Sequence, residues 1–456
     1  MARILFFVWP HFASVASGLK LARDLLSRGH EVSYVGVADC KTFVVAHGHQ
    51  FIPLYARWLP ETPTDSAHET ATDQNFWDQL RSARARVRTV RALLDALVAD
   101  EEREFQEILK LKKPDLLIIH ISDFEVIIPS LLAYEAGIKC AYLYDNFGRS
   151  EDCRVPPVRT AILPNGGRGA SLRLWLAWKI LKIRRRVAGD VYGLLGLAYL
   201  PALREASRRI AERCRYPCEF VDSTDLAPLK AHLPEIVLCP PELEFPHHGR
   251  PGRYYFGCNI DLHRNEGDFP WSSLDTRPLV YCSLGTMSWF NKDVYQRFFR
   301  IIIAVAEHRP EFQWVVNVYD VVNPEEFENV PQNVHLVKRA PQLAILQRSA
   351  VAIVHGGPNT VKECAYFGVP MIVFPLGLDQ PGTAARVVYH GLGVSGDFCS
   401  VTKEQMDALV DRVDRDSFVR VQTRLIGETL RAADLERSPV DFVEKLLDPE
   451  SENSGR

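Results

Sequence analysis

The chain has 456 residues, 47% of them hydrophobic and 24% charged, enough for two or three domains with substantial cores. Its 54 Lys and Arg against 57 Asp and Glu leave a net charge of −3, which gives no reason to expect a nucleic-acid partner. No apolar run reaches the ~20 residues that span a bilayer, and ten scattered cysteines without a CxxC argue against a disulfide scaffold; they read as reduced thiols of a soluble cytoplasmic protein.

Residues 4–8 form a short continuous apolar run, the pattern of a buried strand and not of a secretory leader. Residues 14–27 have helical spacing and stop at Arg28-Gly29-His30. Strands follow at 32–35 and 51–55, so the opening is strand–helix–strand with parallel pairing. Residues 56–75 read as a polar surface loop and 75–112 as charged helix. A further buried strand at 115–120 ends in His120-Ile121-Ser122-Asp123, and residues 140–143 are strand-like. Residues 150–170 read as a loop. The segment 171–186 (SLRLWLAWKILKIRRR) interleaves Leu, Trp and Ile with six basic residues. It is either a helix packed on the N-terminal domain with a solvated basic face, or one lying on an anionic membrane surface.

Clustered Pro and Gly place the domain boundary in 241–277. This divides the chain into an N-terminal domain, 1–240, a linker, a second α/β domain, 278–432, and a final helix, 433–450, expected to cross back to the first domain. The second domain opens with a strand at 279–283 and the turn Leu284-Gly285-Thr286. Strands at 312–318 and 334–337 lead to Pro341-Gln342 and then to VHGGPNTVKECAYFGVPMIVFPLGLDQ, residues 354–380. There a strand runs through a Gly-rich turn into a helix, with Asn359 or Thr360 as its cap and Glu363 in its first turn, an arrangement suited to an anion. A second apolar strand then ends near Asp379-Gln380, placing polar groups at the carboxyl ends of neighbouring strands, where open α/β sheets bind ligands.

This stretch resembles the nucleotide-sugar signature of the UDP-glycosyltransferases with the GT-B fold. The residues that carry the resemblance are Pro341-Gln342, His355, Gly357, Asn359, Thr360, Glu363, Gly368-Val369-Pro370 and Asp379-Gln380. The resemblance implies an α/β, GT-B architecture: two facing Rossmann-like domains with a cleft between them, the first taking a small lipophilic acceptor and the second the donor. It also implies that His355 and the backbone around Gly357, Asn359 and Thr360 hold the diphosphate, while Glu363 takes the ribose hydroxyls. Asp379 and Gln380 take the sugar hydroxyls, and Ser283 and Thr286 approach the phosphates from the opposite loop. Arg339 occupies the place where relatives with an aromatic floor under the uracil carry Trp, three residues before Gln342; a guanidinium can also stack on a base. A UDP-sugar is then a co-substrate, with no metal or other cofactor expected, and transfer of a hexose with inversion follows.

Inversion requires a base for the acceptor hydroxyl. The family's histidine position falls on Ser14, with His11 three residues upstream in the same loop, and the orienting acid aligns on Asp123. His11 with Asp123 is one assignment; another is Asp123 or His120 acting alone, or an acceptor that needs little help. A non-catalytic auxiliary subunit, and a nucleotide-sugar epimerase or hydrolase, remain as alternatives.

Overall fold

Short runs of β-branched and other apolar residues bounded by turn residues become strands buried on both faces, and the helices between them cover those faces. The computed structural model describes residues 1–9, 12–61, 76–121, 127–147, 154–164, 169–194, 200–217, 221–222, 230–231, 233–247, 249, 251–286 and 290–448. The first sheet comprises β1 (Arg3–Val8), β2 (Glu31–Gly36), β3 (Gln50–Pro53), β4 (Leu116–His120), β5 (Lys139–Tyr144), β6 (Glu235–Val237) and β7 (Arg253–Tyr255). Its order is β3-β2-β1-β4-β5-β6-β7, and every pairing is parallel. The helices of this half are α1 (Phe12–Ser27), α2 (Lys41–Ala46), α3 (Phe76–Val98), α4 (Glu104–Lys112), α5 (Ile127–Glu135), α6 (Ala170–Leu194) and α7 (Leu200–Arg213). A separate antiparallel pair joins Val221–Asp222 to Lys230–Ala231.

The second sheet repeats the plan with β8 (Leu279–Ser283), β9 (Gln313–Asn317), β10 (Val334–Val337), β11 (Ser349–Val354), β12 (Met371–Val373) and β13 (Gly393–Ser395). Its order is β10-β9-β8-β11-β12-β13, again parallel throughout. Helices α8 (Lys292–Glu307), α9 (Gln342–Leu346), α10 (Pro358–Phe367), α11 (Gln380–Tyr389), α12 (Lys403–Arg415), α13 (Ser417–Glu436) and α14 (Pro439–Leu447) complete it. In both sheets the chain reverses its direction of travel beside the first strand, between β1 and β4 and between β8 and β11. These are the topological switch points of a doubly wound sheet. Both halves are Rossmann-like, the GT-B architecture implied by the signature.

Several local features differ from the sequence reading. The helix read over 75–112 is two, α3 and α4, and the one read over 433–450 is the end of α13 followed by α14. Residues 253–255, assigned to the linker on Pro and Gly content, form the edge strand β7 of the first sheet. Helix α6 begins at Ala170 and continues past 186 to Leu194. Helix α10 begins at Pro358, so neither Asn359 nor Thr360 caps it and Glu363 lies on its second turn. Proline is well suited to the first helical position, where no amide is needed, which moves the start forward.

The last helix, α14, packs on α1. Arg28 reaches Asp441 at 2.8 Å and Glu444 at 2.9 Å, and Val440 and Val443 join the core built on Ile4, Phe6 and Val15. A buried ion pair also ties the halves together. Arg386 of α11 donates from Nε to Glu244 at 2.7 Å, and its guanidinium lies 4.9 Å from the Phe147 ring centre and 4.4 Å from that of Phe245. With both side chains buried, removing one partner strands the other charge. Glu244→Ala is therefore expected to lower stability by about 3–5 kcal/mol, and Glu244→Ala with Arg386→Met by much less. Urea unfolding followed by tryptophan fluorescence measures both; equal losses would contradict this account of the pair.

Candidate functional site

The carboxyl ends of β8 and β11 flank the switch point of the second sheet, and residues of the signature converge there. Strand β11 delivers His355 and β8 ends at Ser283. The His355 ring is held between two glycines on the two loops. A Cβ on Gly357 would stand 2.5 Å from Nε2, and one on Gly285, whose φ is +78°, 2.7 Å from Cε1 and Nε2. Only the absence of side chains at these positions admits the imidazole. Its Nδ1 is enclosed, and among the described residues no group meets it at good hydrogen-bond geometry. Burial pushes His355 down to about 4, against a smaller opposing pull from the Ser283 backbone. The ring is thus neutral near pH 7. It can donate one N–H to an oxyanion, beside the outward-pointing first-turn amides of α10.

On the next turn of α10, Glu363 is buried at the centre of a polar network. Its Oε1 accepts from Arg264 at 2.5 Å, and its Oε2 accepts from the Gln342 amide. Gln342 Oε1 accepts from the Tyr281 hydroxyl at 3.1 Å, and its Nε2 lies 3.5 Å from Thr360 Oγ1. Arg264 also contacts Glu266 at 2.6 Å, and Glu266 accepts from the backbone N–H of Leu343 at 2.8 Å, near the start of α9. Burial works against the charge on Arg264, but Glu363 and Glu266 together raise its pKa. A carboxylate with an acceptor position still open on each oxygen, fixed by a guanidinium and an amide, is suited to a vicinal diol.

The remaining candidates are less uniform. Ser283 is buried beneath the loop, whereas Thr286 is exposed. Gln380 accepts with Oε1 from the N–H groups of Leu376 and Gly377, at 2.7 and 3.1 Å, so its carbonyl staples its own loop. The same loop holds Leu378 at φ +51°, a conformation costly for a branched side chain. Asp379 precedes the first turn of α11, half-buried. Arg339 stands at the rim with its side chain 77% exposed, paired with Asp320 at 3.3 Å.

In the first domain, His11 and Asp123 lie outside the described residues, as do the segment 62–75 and the tail 449–456; of α1's first turn, including Ser14, only the backbone is described. His120, at the end of β4, is 2% exposed. Its Nε2 lies 3.2 Å from Ser17 Oγ and 3.6 Å from Asp145 Oδ2, while Nδ1 has no partner.

Sequence reasoning missed Arg264, Glu266 and Tyr281. The first two lie in a stretch without periodicity, and nothing local signals that their partners lie on α9 and α10. Tyr281 reads only as one more apolar strand residue.

Residues 311–447 match the erythromycin biosynthesis protein CIII-like C-terminal domain. The chain is 29% identical over 213 residues to the zeaxanthin glucosyltransferase of Pantoea ananas, covering 44% of this chain and 48% of that protein. It is 32% identical over 181 residues to the NDP-glycosyltransferase YjiC of Bacillus subtilis (strain 168), covering 40% and 45%. The C-terminal part of the chain is therefore similar to bacterial glycosyltransferases. In fold, the chain superposes on the calicheamicin glycosyltransferase CalG4 with a TM-score of 0.63 at 20% identity, covering 98% of each chain. Its sequence matches to the two curated relatives span about half of their length. Among the described residues, no helix is long and apolar enough to cross a membrane.

Proposed function

We propose that the chain transfers a hexose from a UDP-sugar, UDP-glucose first among them, to a hydroxyl of a small lipophilic acceptor, with inversion and without a metal. The observation that carries this reading is the His355 imidazole, seated between Gly285 and Gly357 at the switch point with Glu363 on the following helical turn. In this reading the neutral ring and the α10 amides receive the charge that grows on the departing diphosphate. Glu363 holds the ribose, Asp379 and the Gln380 amide meet the sugar, and Thr286 closes over the phosphates. The first domain supplies acceptor and base, with His11 and Asp123 as the pair assigned to proton removal.

Incubation with UDP-glucose and a panel of phenols, terpenoids, carotenoid diols and macrolides, followed by mass spectrometry, tests the proposal. TDP-glucose belongs in the same experiment, because Arg339 occupies the aromatic-floor position and one relative is an NDP-glycosyltransferase. A glycoside product supports the reading. Sugar release without acceptor would make the chain a hydrolase, and donor binding without turnover an auxiliary subunit.

The histidine also sets a pH expectation. A bound anion raises the pKa of His355, so affinity for UDP-glucose rises only as pH falls below the bound-state value. Burial holds the free ring at about 4, and a ring that stays neutral when the anion binds puts that rise below the window tested. Titration calorimetry should find constant affinity between pH 8 and pH 6. A steep rise within that window would show that an imidazolium, not a neutral ring, binds the diphosphate.

A further inference from the structure

Helix α6 is apolar on two opposite faces. Inward, Leu174 and Trp178 are buried, and the Trp178 indole N–H donates to the Val155 carbonyl at 2.9 Å. Outward, Leu172, Leu176, Ile180, Ile183, Val187 and Val191 are all exposed, Ile183 at 62%. Their spacings of four and three residues put them within a ~100° arc of the helix, opposite the buried pair. Trp175 stands beside the arc, 52% exposed. Lys179, Lys182 and Arg186 border one side of the stripe and Arg173 and Arg184 the other, all exposed. Within α6 the sequence has six basic residues and one acid, Asp190.

We infer that this outer face is a docking surface for an anionic phospholipid bilayer. An apolar stripe edged on both sides by cations is the pattern of a helix lying in the headgroup plane: aliphatic side chains enter the acyl boundary while Lys and Arg reach phosphates. Trp175 at the margin suits the same depth. The charge decides against a second copy of the chain, because pairing the stripe with itself brings two cationic borders together. The helix also has a short mechanical path to the cleft. Trp178 leans on the segment 154–164, whose Val158 carbonyl accepts from the Gly382 N–H of α11 at 2.8 Å. The inference stands independently of the proposed transfer reaction.

Flotation of the full chain with vesicles of phosphatidylcholine, with and without phosphatidylglycerol, tests it. At low salt the protein should float with the anionic vesicles and only weakly with the neutral ones. Ile180→Ser/Ile183→Ser/Val187→Ser should lower partitioning by about tenfold or more. Lys179→Glu/Lys182→Glu/Arg186→Glu should abolish the preference for phosphatidylglycerol. These exposed positions leave the core intact, so melting temperature and UDP affinity should match the parent protein. Parent protein that stays behind with anionic vesicles, or a serine variant that floats equally well, overturns the inference. So does a doubled mass in light scattering that the serine variant abolishes when no vesicle binding is seen, which would assign the face to a second copy. Failure to bind UDP would sink the transferase reading alone and leave the vesicle result standing.

Discussion

Glu363→Ala is expected to weaken UDP binding by about 100-fold or more, the largest loss of affinity from any one side chain of the site. Two ribose hydroxyls donating to one carboxylate make charge-assisted bonds of roughly 1.5–3 kcal/mol each, and every 1.4 kcal/mol is about a factor of ten. The substitution should not unfold the domain, because Arg264 keeps Glu266 as a partner. Arg264→Ala should act less strongly and in the same direction, raising donor KM while kcat holds, since it orients the carboxylate without touching the reacting atoms. Titration calorimetry with UDP and donor-saturation kinetics provide the numbers. Equal affinity in the Glu363 variant would remove the ribose assignment.

His355→Ala should lower kcat by about 10²–10³ and change donor KM much less. Charge on the departing diphosphate is greater in the transition state than in the bound donor, so a hydrogen-bond donor aimed at it acts mainly on the rate. Gly357→Ala gives an independent check. It keeps the imidazole but places a methyl group 2.5 Å from Nε2, too close for both to stay, and should produce a comparable loss by displacing the ring. If Gly357→Ala turned over at the parental rate while His355→Ala did not, the histidine would act from another position than the one between the loops.

The motif from His355 to Gln380 is legible because its logic is local. Strand, turn and helix are contiguous, and the spacing alone carries polar residues to one sheet edge. Parallel pairing followed from the same alternation, and both halves fold as doubly wound sheets. Local errors arose where two rules competed. Pro358 started α10 earlier than the polar residues beyond it suggested, and a three-residue edge strand at 253–255 was hidden by its Pro and Gly neighbours. Arg264 was not legible at all. Its partner Glu363 lies 99 positions away, and a lone basic residue in an aperiodic stretch has no pattern to distinguish it. The double character of α6 was visible only as an ambiguity, because a helix apolar on opposite sides has no single polar face to identify.

The run 259–266 grips both lobes at once. Asn259 donates to the Ser17 carbonyl at 3.1 Å and Asp261 pairs with Arg23, both on α1, while Arg264 and Glu266 fasten to α10 and α9. Spreading the lobes therefore tugs directly on the carboxylate assigned to the ribose. If the proposed transfer holds, departure of spent nucleotide and widening of the cleft are expected to be one geared movement, its tempo following how readily that short tether yields.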